Sequence, residues 1–112
     1  MYVGIPDKIL AKWLKNKDYL EVSDEGEAVT IASGYYFATK KKATVFMSSD
    51  GFCNALNAIT SFVIPEKIKM KIVISTGRIE PPHKVMSDTL VKLIGILRYD
   101  SKRLSFKIIT KK

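Results

Sequence analysis

Residues 23–38 read Ser23-Asp24-Glu25-Gly26-Glu27-Ala28-Val29-Thr30-Ile31-Ala32-Ser33-Gly34-Tyr35-Tyr36-Phe37-Ala38. The stretch opens with a residue that caps helices well and continues with acids. Ser23 as N-cap would satisfy exposed backbone N–H groups, and Asp24 and Glu25 would follow where the helix dipole favours negative charge. Ala28, Ala32 and Ser33 then keep the turns small. A glycine inside a helix costs about 1 kcal/mol relative to alanine, so Gly34 predicts that something packs close to the helix backbone. Taken alone, the pattern is that of a buried helix in an α/β sheet whose acids serve only the cap.

The flanking segments supply that sheet. Tyr2–Ile5 is a short apolar run closed by Pro6, and it predicts a first strand. Ile9, Leu10, Trp13 and Leu14 repeat at helical spacing, while Lys8, Lys12 and Lys15 face out. Tyr19–Val22 predicts a second strand. After the Ser23 helix, Ala43–Met47 is apolar without a break, as a strand covered on both faces should be. Phe52, Ala55, Leu56, Ile59, Phe62 and Val63 form a helical stripe that Pro65 ends. Lys69–Ser75 predicts a fourth strand and Thr76–Pro82 a loop. Lys84–Leu97 predicts a helix that buries Met86, Leu90, Leu93 and Leu97, and Leu104–Thr110 a last strand. Strand and helix alternate throughout, which predicts an α/β, doubly wound, mainly parallel sheet with helices on both faces. In such sheets ligands lie beyond the carboxyl ends of the strands. Those ends are Pro6-Asp7, Ser23-Asp24-Glu25, Ser48–Asn54 and Thr76–His83, and they hold most of the polar residues of interest.

A chain of 112 residues has the size of one domain, here residues 1–112. It is too short for separate cofactor and substrate domains. No apolar run reaches the roughly 18 residues of a membrane span. The start lacks the basic-then-apolar order of a signal peptide, so a cytoplasmic protein is expected. Cys53 is the single cysteine, which excludes an internal disulfide and a cysteine-based zinc cluster. The net charge of +8 suits an anionic ligand or an acidic partner. Its lysines are scattered and carry no interleaved aromatic platform, which argues against nucleic acid.

Few residues are equipped for chemistry. His83 is the only histidine, and nothing has metal-ligand spacing. There is no nucleophile elbow and no Walker or dinucleotide glycine fingerprint. Asp50-Gly51 with Asn54 reads as a turn and helix cap, and Cys53 as a buried, inert thiol. Glu25 remains: a carboxylate at a strand-to-helix junction on the ligand edge, able to share a proton with a bound nitrogen heterocycle.

Four stretches, in order, resemble the pyrimidine-binding domain of thiamine-diphosphate-dependent 2-oxo acid decarboxylases, in particular phosphonopyruvate decarboxylase and the alpha subunit of sulfopyruvate decarboxylase. Val3-Gly4-Ile5-Pro6-Asp7 is similar to their opening strand and its Gly-Val-Pro-Asp turn. Glu25-Gly26-Glu27-Ala28 through Ala32-Ser33-Gly34-Tyr35 is similar to their Asn-Glu-Gly-Asn-Ala helix. Met47-Ser48-Ser49-Asp50-Gly51-Phe52-Cys53-Asn54 is similar to their Met-Gln-Asn-Ser-Gly-Leu-Gly-Asn turn, and Glu80-Pro81-Pro82-His83 to their Glu-Pro-Gln-His loop.

The resemblance implies that Glu25 is catalytic and binds the cofactor's aminopyrimidine ring. It implies that Gly51 and Asn54 also bind cofactor, and that Asp7, Arg78 and His83 stand near substrate, with Lys84 a further cation. The chain would start at the first strand, without the helix that usually precedes it. The family's diphosphate half carries Gly-Asp-Gly followed at a distance by Asn. That motif is missing here, because Asp50-Gly51 and Asn54 are spaced far too closely. The expectation is therefore a hetero-oligomer in which a partner decarboxylase subunit holds Mg2+ and the diphosphate of thiamine diphosphate, and this chain holds no metal. The substrate would be an anionic 2-oxo acid, phosphonopyruvate or sulfopyruvate. A divergent, non-catalytic α/β domain that binds a protein partner is the alternative, and a basic nucleic-acid-binding domain ranks last.

Overall fold

A computed structural model describes residues 1–77 and 83–110. Five strands form one sheet: β1 (Tyr2–Gly4), β2 (Leu20–Glu21), β3 (Ala43–Ser48), β4 (Met70–Thr76) and β5 (Leu104–Thr110). Their order across the sheet is β2-β1-β3-β4-β5, and every pair is parallel. The helices between them are α1 (Lys8–Trp13), α2 (Glu25–Thr39), α3 (Phe52–Ala58) and α4 (His83–Asp100). The expected α/β, doubly wound architecture is what the chain adopts. No helix among the described residues is long and apolar enough to cross a membrane.

The winding follows from strand order and handedness. The chain leaves β1 towards β2, then reverses past β1 to lay down β3, β4 and β5. With right-handed crossovers, a reversal of direction moves the helices to the opposite face. Side-chain parity records the result. Val3, Val45, Met47, Ile72, Ile74, Leu104 and Phe106 point to one face and pack with Ala28, Val29, Ala32, Phe52, Ala55, Leu90 and Leu97 from α2, α3 and α4. Phe46 and Val73 point to the other face and pack with Leu10 and Leu14 beside α1. Strands buried on both sides have no polar face to show, which is why β3 reads as an unbroken apolar run.

Three details depart from the sequence reading. Asp24, not Ser23, is the N-cap of α2: its carboxylate accepts from Glu27 N at 3.2 Å. Ser and Asp cap equally well, so composition alone could not choose between neighbours. Gly34 is exposed, and a Cβ built there would meet nothing. The close approach lies one end of the helix away, at Gly26, where a Cβ would come within 3.3 Å of Asn54 O. Finally, α3 does not continue as an α-helix. Ile59–Val63 forms a π-helical turn, closed by Ile64 N donating to Ile59 O at 2.9 Å. The wider turn keeps Val63 on the buried side and swings Phe62 outwards, leaving it 40% exposed against the edge of Phe37.

Candidate functional site

The site is built where the winding reverses. β1 and β3 are neighbours there, and the chain leaves them towards opposite faces, the arrangement in which α/β sheets hold ligands at the carboxyl ends of their strands. Gly4 makes the close approach of these strands possible. A side chain on Gly4 would overlap the backbone carbonyl of Phe46, its register partner in β3.

From β3 the chain turns sharply. Gly51 N donates to Ser48 O at 3.1 Å, and Ser49 N donates to Ser75 O at 2.8 Å, tying the turn to the end of β4. The turn places Gly51, which is buried, against the first residue of α2. Glu25 is half-buried, and its carboxyl fills the space that a Cβ on Gly51 would take; such a Cβ would lie 2.9 Å from Glu25 Cγ and overlap Oε2. One turn on, Asn54 Nδ2 donates to Glu25 Oε1 at 3.0 Å. The structure thus brings together Glu25, Gly51 and Asn54, 29 residues apart in sequence at the two ends of the hydrogen bond. An acid that faces a glycine and is held by one amide keeps a carboxyl edge able to accept or share a proton.

Asp7 sits on the same rim, and each of its carboxylate oxygens accepts a hydrogen bond. One carboxylate oxygen accepts from Leu10 N at 2.7 Å, capping α1. The other accepts a short hydrogen bond from Ser75 Oγ. Asp7, expected near substrate, thus also ties α1 to the end of β4. Ser75 has no signal of its own in the sequence, since its partner is 68 positions away. Next to it, Thr76 Oγ1 is buried at the end of β4 with no hydrogen-bond partner among the described residues. Arg78 and the His83 side chain, both expected near substrate, lie outside the described residues. Lys84 is exposed and pairs with Asp88 at 2.8 Å on its own helix. Cys53 is exposed rather than buried, with Sγ 3.9 Å from Met86 Sδ. It is the second residue of α3, on the outer side, one residue before Asn54. Among the described residues no three His, Cys, Asp or Glu side chains gather where they could hold a metal ion.

Comparison with known proteins adds the fold and its setting. No protein-family model and no curated protein matches the chain. A solved structure of a candidate thiamin diphosphate-dependent enzyme from Mycobacterium smegmatis superposes with a TM-score of 0.63 at 15% identity. The match covers 97% of this chain and 27% of that one, so the chain spans about a quarter of the length of the protein it resembles. At that identity the shared property is the fold.

Proposed function

We propose that this chain is the pyrimidine-binding half of a thiamine-diphosphate-dependent decarboxylase, completed by a separate subunit that holds the diphosphate. The observation that carries the reading is the Glu25 carboxyl, half-buried at the reversal point of the sheet, held by Asn54 and backed by a glycine. The residues fit a neutral heterocycle and not the rest of the cofactor. A carboxylate with a free edge suits a ring nitrogen that must be protonated, and Gly51 leaves the carboxyl room. The Gly-Asp-Gly followed at a distance by Asn that holds Mg2+ and the diphosphate in the family resembled does not occur in this sequence, which supports giving that task to the partner. When bound, thiamine diphosphate supplies the electron sink that a 2-oxo acid needs to lose carbon dioxide. The task of this chain is narrower. Glu25 would share a proton with the ring nitrogen through its carboxyl, and the turns after β1 and β3 would orient the ring.

A fold shared with a quarter of a larger protein supports the need for further polypeptide. The net charge of +8 supports an acidic subunit and an anionic 2-oxo acid such as phosphonopyruvate or sulfopyruvate. The test is to purify the chain with and without a diphosphate-binding decarboxylase subunit, the product of an adjacent reading frame being the first to try. Cofactor binding and decarboxylation should appear only in the complex. Glu25→Gln should keep the fold and lower turnover by 100-fold or more, the scale of losing a positioned proton-transfer group. Full turnover by that variant, or tight cofactor binding by the isolated chain, would overturn the proposal.

A further inference from the structure

We infer that Gly51 and Asn54 act through Glu25 rather than on the ligand, Asn54 as the donor that orients its carboxyl and Gly51 as the gap that admits it. The inference rests on the functional reading above only for what that carboxyl meets; the clamp itself is a property of the chain.

The chemistry of the contact is one-directional. An ionised carboxylate can only accept hydrogen bonds, whereas an asparagine amide has a donating and an accepting end. Asn54 must therefore turn its nitrogen to Glu25, and it does so at 3.0 Å. This commits one of the two N–H groups of the amide to Glu25. It also fixes the orientation of Oε1, and with it the plane of the carboxyl, which leaves Oε2 directed towards Gly51. On that side stands Gly51, and any side chain there would displace the carboxyl. The first turn of α2 and the first turn of α3 can come this close because Gly26 carries no Cβ opposite Asn54 O. A glutamate has three rotatable bonds and would sweep a wide volume at an open helix start. Held on one oxygen, and admitted on the other side only because position 51 has no side chain, it is oriented before any ligand arrives, which is the requirement for a positioned acid.

Direct ligand contact and positioning give different kinetics. In the complex with a diphosphate-binding subunit, Asn54→Ala should lower kcat about tenfold with cofactor Kd and substrate KM within about twofold. Asn54→Asp should be worse, because it loses the donor and sets a second negative charge against Glu25. Gly51→Ala should cost about 100-fold in kcat, from steric displacement alone. A second readout needs neither partner nor cofactor. In the isolated chain, the side-chain amide NMR signals of Asn54 should shift strongly in Glu25→Ala while those of Asn57 stay in place. Unmoved Asn54 signals would show that the hydrogen bond is not formed and would overturn the inference. So would Asn54→Ala with weakened cofactor binding and intact kcat, which marks a direct ligand residue. Should no subunit make the chain cofactor-dependent, the functional reading fails, and the amide signals still decide whether the clamp exists.

Discussion

Single positions carry this fold where two backbones meet. Gly4 is buried between β1 and β3, and its missing side chain lets the Phe46 carbonyl approach. Gly4→Ala forces the strands apart at the reversal point, and neither neighbour can yield, because the obstacle is backbone. The expected loss is about 3 kcal/mol, the upper end of what overpacking a tight interior costs. A denaturant titration reads it as a lower midpoint at unchanged slope. Glycine in a Gly-Ile-Pro-Asp turn is visible in the sequence, but which backbone it admits is not. The same limit applies to Asp7. Its type and place on the rim were legible, while its engagement by Ser75 from a distant strand was not. The place of Glu25 at the start of α2 is readable because it depends only on local order: a strand end, a cap, then a helix. Its neighbours Gly51 and Asn54 were read as site residues of their own, since nothing local reveals that they face Glu25.

At the level of elements, periodicity located every strand and helix, and the errors fell at their ends and in one turn. The start of α2 is the sharpest case. Ser23, Asp24 and Glu25 are three plausible first residues, and only the bond from Glu27 N identifies Asp24 as the cap. Asp24→Ala should therefore cost about 1 kcal/mol, whereas Ser23→Ala should stay within about 0.5 kcal/mol. Thermal melts of the two variants side by side discriminate between the assignments, and equal losses would return the cap to Ser23. The π-helical turn after α3 is the other departure. The stripe from Phe52 to Val63 is continuous on a helical wheel, so a period of 3.6 places Phe62 inside. Tertiary packing inserts a residue into the turn and moves Phe62 onto Phe37, outside the core. No local pattern in Ile59-Thr60-Ser61-Phe62-Val63 announces that choice.

For the molecule as a whole, alternation of strand and helix gave the architecture, and the reversal of winding then fixed where a ligand could sit. Strand order also creates an edge. In the described sheet β5 is outermost, and the backbone groups of Leu104, Phe106 and Ile108 face away from β4, since Met70 N takes Arg103 O and the parity alternates from there. Unpaired strand edges invite a second strand. Here Arg98, from the last turn of α4, donates to Phe106 O at 3.2 Å and lies over the Phe106 ring with 5.8 Å to its centroid. The guanidinium thus blocks the middle of the edge with both a hydrogen bond and a charge. Long-range repulsion between copies of net charge +8 assists it, but salt screens that term within about 8 Å at physiological ionic strength. Arg98→Ala should leave the monomer folded and make it self-associate, more strongly as salt rises, with light scattering as the readout. Adding Ile108→Lys, which restores a cation to the same edge at a residue 38% exposed in the native chain, should return the protein to monomer. A single variant that stays monomeric in high salt would mean that the edge is closed by its own twist and not by Arg98.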